Sequence, residues 1–257
     1  MNTSPGGVDR FLSAPAVRTV AAGRILSWLR AGWDDLRANP IPSLAYGLLF
    51  GIGGDLILLA SLGRPHLFTA ALSGFFLVAP LLAVGLYELS RQHAAGFHPT
   101  FIESLRAFRD RGRSIGLFGL LLGLIALGWE RASSIGFVLL GGTTSVNVKQ
   151  FVTQAVSSSD NTVFLILWFV LGGVLALVTY ALSIVSAPLI LDRDASLVMA
   201  TTTSLKAFAA NTLTLLIWGA TIVILTLLGF ATLLFGLVVI MPILGHASWH
   251  AYRDLVE

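Results

Sequence analysis

The chain has 257 residues, 56% of them hydrophobic and 11% charged, with a mean hydropathy of +0.85. Soluble domains carry about 25% charged residues, so these charges are too few to cover a water-exposed surface of this length. The absence of cysteine excludes disulfides, thiolate metal sites and cysteine nucleophiles, and a net charge of +3 gives no argument for nucleic acid as a partner.

In chain order, residues 1–20 are rich in Gly, Pro and Ser and lack the apolar core of a signal peptide. They read as a disordered cytoplasmic tail. Apolar runs then fall at about 42–62, 67–89, 114–138, 162–191, 212–230 and 231–250. Each approaches the roughly 20 residues that a helix needs to cross a bilayer. The expected fold is therefore all-α and polytopic, with six transmembrane helices. The last two runs are divided only around Gly229 and Gly236. A single helix across both would be about 60 Å long, too long for one crossing.

Basic residues set the orientation. Thirteen of the 16 lysines and arginines lie before the first run, between even-numbered and odd-numbered runs, or after the last. Only Arg64, Arg131 and Lys149 lie on the other side. The bias of Lys and Arg toward the cytoplasm places both termini inside, in a cell inner membrane, with three hairpins pointing outward.

An internal repeat underlies the hairpins. Ser104-Leu105-Arg106-Ala107-Phe108 recurs as Ser204-Leu205-Lys206-Ala207-Phe208, with a looser copy at Leu29-Arg30-Ala31-Gly32-Trp33. Each is expected on a short amphipathic helix before an outgoing span. In the first copy Ile25, Trp28, Leu29, Trp33 and Leu36 form the apolar side, and Arg24, Arg30 and Arg37 the wet one. Pro40 and Pro42 then end that helix. In the middle copy Phe101, Leu105 and Phe108 share a face, and Thr100-x-x-Glu103 forms a capping box. The returning spans carry Pro80, Pro188 and Pro242, read as helix kinks. Each proline also frees the carbonyl four residues earlier, at Phe76, Ile184 and Val238. The resulting units are repeat 1 at 21–97, repeat 2 at 98–191 and repeat 3 at 192–257. With two spans each they point the same way, as parallel repeats about the membrane normal do.

Four stretches, WLRAGWDDLRANPIPSLAYGLLF, SGFFLVAPLLAVGLYELSR, SIVSAPLILDRD and MPILGHASWHAYRDLV, resemble the bacterial integral-membrane family catalogued as domain of unknown function 2189. The resemblance covers about residues 25–257. It implies a six-span inner-membrane protein and brings no established activity or catalytic residues.

Ionisable groups inside spans are functional candidates because burying them is costly. Asp55, in the Gly-rich stretch 51–55, is the clearest. It reads either as a cation- or proton-binding carboxylate or as half of an ion pair, with Arg131 the expected partner. Glu130 and Arg131 are expected to point to different sides of their helix. In Asp192-Arg193-Asp194, Asp194 is expected to cap the next helix and Arg193 to reach toward lipid phosphate.

His246 and His250 stand at i and i+4, the spacing that lets two imidazoles hold one metal. Ala247 occupies the place of a metalloprotease glutamate, and a third ligand would have to be Glu88, His93 or His98. Trp249, Tyr252 and Arg253 intersperse the pair and read as interfacial anchors. That reading outweighs metal, and two haem-ligating histidines at this spacing cannot reach opposite faces of one iron. No cofactor is expected.

No phosphate loop, nucleophile elbow or nucleotide fingerprint is present, and the segments 92–113 and 141–161 are too short for a catalytic domain. The expected protein is a non-enzymatic membrane scaffold or assembly factor whose partners are the bilayer and another membrane complex. The alternative is a small transporter or channel around Asp55, and a third reading is metal or haem binding near the C-terminus.

Overall fold

The computed structural model describes residues 15–61, 82–139 and 159–257. Pro80, Phe76 and the expected outer loops near 62–66 and 141–158 lie outside the described residues. The helices are α1 (Arg24–Ala38), α2 (Pro40–Ser61), α3 (helical over 82–94), α4 (Phe101–Leu139), α5 (Ser159–Ser183), α6 (Ser186–Arg193), α7 (Leu197–Ala210), α8 (Thr212–Ala231) and α9 (Leu237–Leu255). Among the described residues the β structure is one isolated antiparallel bridge, Val17 to Val256.

Helix α1 is amphipathic, burying Ile25, Trp28, Gly32, Asp35 and Leu36 at helical spacing. Trp33, expected on that face, is exposed, and the carboxylate of Asp35 takes a place among the buried residues. The helix stops at Asn39, whose N–H bonds the Asp35 carbonyl. Pro40 then opens α2, a first-turn position where a missing N–H costs nothing.

Helix α9 packs on α1 and α2 at backbone distance because glycines clear the way. A Cβ added at Gly32 would stand 2.5 Å from the Ile243 carbonyl oxygen, and one at Gly47 would stand 1.9 Å from that of Val238. Val238 is the carbonyl that Pro242 frees inside α9, and it lies against the backbone of α2. Pro242 thus sits at a close packing contact between α9 and α2.

The other described proline behaves differently from expectation. The helix breaks at Ile184-Val185, and Pro188 sits in the first turn of the separate α6. Pro188 therefore follows the break rather than bending one unbroken helix, and the first turn of a helix tolerates proline. The middle repeat also departs from expectation: α4 runs unbroken for 39 residues, about 58 Å, instead of dividing into an interfacial helix and a span. Nothing like Pro40 or Asn211 interrupts residues 101–139, and arginine is a good helix former. Its Thr100–Glu103 capping box is present, with the Thr100 N–H donating to Glu103 at 2.8 Å and the Glu103 N–H to Thr100 Oγ1 at 3.3 Å.

The repeated motif faces the same way in its two close copies. Ser104 and Ser204 are fully buried, Ala107 and Ala207 are buried, and Leu105 and Leu205 are exposed. Of the expected Phe101–Leu105–Phe108 face, Phe101 and Phe108 are partly buried and packed against the core, and Leu105 is exposed. Small side chains set the contact, because they admit close helix approach.

Residues 15–20 are ordered, contrary to the expected disordered tail. Arg18 N–H donates to Leu255 O, Glu257 N–H to Ala16 O, and Asn211 holds both Val20 N–H and Arg18 O. These backbone groups found partners that composition alone does not reveal. The return between α8 and α9 falls at 232–236, where Leu233 and Leu234 adopt positive φ. The Thr232 hydroxyl accepts from Gly236 N–H. Phe101–Ser133, Ile166–Arg193 and Thr212–Ala231 are the three stretches among the described residues long and apolar enough to cross a bilayer. Their large apolar side chains, Leu120, Leu124, Phe169, Leu171, Val223 and Leu227 among them, are exposed. The core cluster joins α1, α3, α6 and the second half of α9 with α8, whose Trp218 meets Trp28 edge-on at 5.7 Å.

Candidate functional site

The two C-terminal histidines are buried together with residues from three other helices. His246 is completely buried on α9. Its Nε2 meets Ser43 Oγ of α2 at 2.9 Å, and its Nδ1 meets Ser90 Oγ of α3 at 2.7 Å. Ser90 donates its only proton to Asp35 of α1 at 2.6 Å. Its oxygen must then accept from His246, which fixes the Nδ1–H tautomer and leaves Nε2 to accept from Ser43. One turn on, His250 Nε2 lies 2.9 Å from the same Asp35 carboxylate, and His93 Nε2 lies 3.8 Å from it. Burial alone would raise the Asp35 carboxyl. The hydrogen bonds from His250 and Ser90, with the nearby charges of His250 and His246, hold it below the ordinary carboxylate range.

The order Ser43, His246, Ser90, Asp35 resembles a base-activated hydroxyl with one extra serine in the relay. Ser43 is fully buried, however, and neither of the two described cavities is lined by it. These hydrogen bonds tie α1, α2, α3 and α9 to one another. Both ring nitrogens of His246 are occupied by serines, and His250 turns to Asp35. The expected metal set of His246, His250 and Glu88 is not brought together. Glu88 is clasped instead by Arg91, at 2.7 and 2.8 Å, and by Gln92. That pairing raises the Arg91 guanidinium pKa. Among the described residues no group of three or more His, Cys, Asp or Glu is arranged for a metal ion.

The interfacial anchors are corrected as well. Trp249 and Tyr252 are buried, 2% and 1% exposed, and only Arg253 is exposed. The end of α9 is surrounded by α1, α3 and α6, so its aromatic residues have no lipid-facing side. Tyr252 donates to Asp192 at 2.7 Å, and Arg253 approaches the same carboxylate at 3.3 Å. Asp194 does not cap α7. It closes α6 with left-handed geometry at φ 55° and pairs with Arg111 at 2.6 Å. Ser196 takes the cap, accepting from Met199 N–H. Arg193 Nε lies 3.9 Å from Asp192 Oδ2.

Asp55 is exposed on α2 and forms no ion pair among the described residues. Arg131 is not its partner: Arg131 Nε lies 3.3 Å from Glu130 Oε2. Flexible side chains let adjacent residues meet at a solvent- or lipid-facing surface even though their Cβ atoms diverge.

Sequence reading missed Asp35, Ser43 and Ser90. For Asp35 a signal existed: it lies seven residues after Trp28 and ten after Ile25, on the apolar face of α1. A charge there needs a buried partner.

A continuous helical fold with long, outward-facing apolar stretches and a polar packed end defines an integral membrane protein. Residues 67–192 match the family described as "Predicted integral membrane protein (DUF2189)", and over this stretch the chain is similar to that family. No curated protein and no solved structure matches it.

Proposed function

We propose that the chain is a non-enzymatic, six-span protein of the bacterial inner membrane, a scaffold or assembly factor for another membrane complex. In this reading both termini are cytoplasmic, and the three repeats are parallel hairpins. The distribution of Lys and Arg supports the orientation, and the shared burial of Ser104 with Ser204 and of Ala107 with Ala207 supports the repeat.

The observation that carries the scaffold reading is the Ser43–His246–Ser90–Asp35–His250 chain. These side chains are committed to one another, Ser43 and His246 are fully buried, and their bonds tie four helices together at the cytoplasmic end. Purification in mild detergent with mass spectrometry of associated proteins tests it. A stoichiometric membrane-protein partner supports the scaffold. A partner-free chain that carries solute flux in vesicles overturns it.

A second reading, a small transporter or channel, rests on Asp55, an exposed carboxylate that forms no ion pair among the described residues, in a largely apolar helix. Neither described cavity is lined by Asp55, whereas transport sites lie in cavities near midplane. Flux that disappears in Asp55→Asn while assembly is retained would favour this second reading.

A further inference from the structure

A polar cavity of about 300 Å³ lies between α3, α4 and α6, distinct from the His246 network. Its charged walls are Glu88 and Arg91 from α3, and Glu103, Arg106, Asp110 and Arg111 from α4. Three carboxylates face three guanidinium groups, a neutral balance that favours neither a simple anion nor a simple cation.

Four of the six charges are already committed. Glu88 and Arg91 hold each other, Arg111 holds Asp194, and Glu103 accepts from Thr100 in the capping box. Arg106 and Asp110 form no ion pair among the described residues, although Arg106 feels the charge of Glu103. They stand one turn apart on α4, so their Cβ atoms are about 5–6 Å apart. The cavity therefore presents one available cation and one available anion on a preformed wall. It lies at the small end of ligand-site volumes.

We propose that this cavity binds the phosphoethanolamine headgroup of a zwitterionic phospholipid. Arg106 donates to the phosphate oxygens, and Asp110 accepts from the primary ammonium. Guanidinium–phosphate and carboxylate–ammonium contacts are charge-assisted hydrogen bonds, and the two-carbon link between the phosphate ester oxygen and nitrogen suits groups one helical turn apart. A lipid source follows from position: the cavity lies in the first three turns of α4, just before the apolar run that begins near Ser114. This inference rests on the membrane reading above and adds the ligand class to it.

Native mass spectrometry of the full chain in detergent, titrated separately with phosphatidylethanolamine, phosphatidylcholine and phosphatidylglycerol, tests the proposal. Phosphatidylcholine lacks ammonium N–H donors, and phosphatidylglycerol lacks the cation. We expect about tenfold tighter binding of phosphatidylethanolamine than of either, the effect of one charge-assisted contact. The preference should vanish in Arg106→Ala and Asp110→Ala, whose exposed side chains leave the packed core intact. Equal binding of the three lipids, or an undiminished preference in both variants, overturns the proposal. Equally strong competition by soluble phosphoethanolamine overturns the lipid as the source. The membrane reading fails separately, if the chain is released from native membranes by an alkaline wash.

Discussion

Replacing Asp35 by Ala removes the residue on which the buried polar chain converges. The Ser90 hydroxyl, in a residue only 1% exposed, loses its acceptor. A buried polar group left unpaired costs about 1–3 kcal/mol. His250 also loses its partner, but its side chain is 29% exposed, and solvent compensation reduces that loss to roughly 0.5–1 kcal/mol. The expected destabilisation is therefore about 1.5–4 kcal/mol, read as a shift in denaturant-induced loss of helical circular dichroism in detergent. Ser43→Ala supplies the second arm. Ser43 and Asp35 do not touch, yet they are linked through His246 and Ser90, so the double variant should depart from additivity by about 0.5–3 kcal/mol. A loss below about 0.5 kcal/mol for Asp35→Ala, the range of an ordinary surface change, would refute the reasoning. Strict additivity would refute the linked chain.

The pH dependence has a definite sign. The folded-state pKa of Asp35 lies below its unfolded value, which is near 3.9. Its stabilisation is complete above about pH 4 and is lost as pH falls through the lower folded value. Asp35→Ala should lack that part of the acid-induced loss, measured by the same unfolding assay from neutral to acidic pH. Gly47→Leu should destabilise by about 3 kcal/mol, the upper end of the overpacking range, because its Cβ would overlap the Val238 carbonyl; unchanged thermal unfolding would show that α2 and α9 are not at backbone contact. Tyr252→Phe deletes the bond to Asp192 and should cost about 1–2 kcal/mol in denaturant unfolding, where an interfacial anchor would lose almost nothing. Thr100→Ala removes one half of the capping box on α4 and should cost about 1 kcal/mol, with fraying visible as faster amide exchange in the first turn.

Hydrophobic run length made the helical membrane class legible, because apolar composition over some 20 residues has few alternative meanings. Local punctuation was legible where chemistry is local: the Thr100–Glu103 box and the α1-to-α2 break at Pro40 both depend on residues within four positions. The partners of polar groups were not legible in the same way. His246 meets Ser43 across 203 positions and Ser90 across 156, a separation that no motif encodes. Trp249 and Tyr252 illustrate a related limit. An aromatic residue beside an arginine at a helix end has the composition of a lipid interface, but here neighbouring helices enclose it. Asp194 and Ser196 compete for the same local capping role, and the left-handed turn at Asp194 decides between them.

The cysteine-free sequence permits a direct test of the membrane arrangement with single cysteines at Leu233, Phe97 and Glu257. Leu233 lies in the exposed return between α8 and α9, Phe97 before α4, and Glu257 at the opposite end of α9 from Leu233. A membrane-impermeant maleimide applied to intact bacterial spheroplasts should label Leu233→Cys alone, with all three labelled after permeabilisation. Labelling of Phe97→Cys or Glu257→Cys in intact spheroplasts, with Leu233→Cys protected, would contradict the proposed orientation.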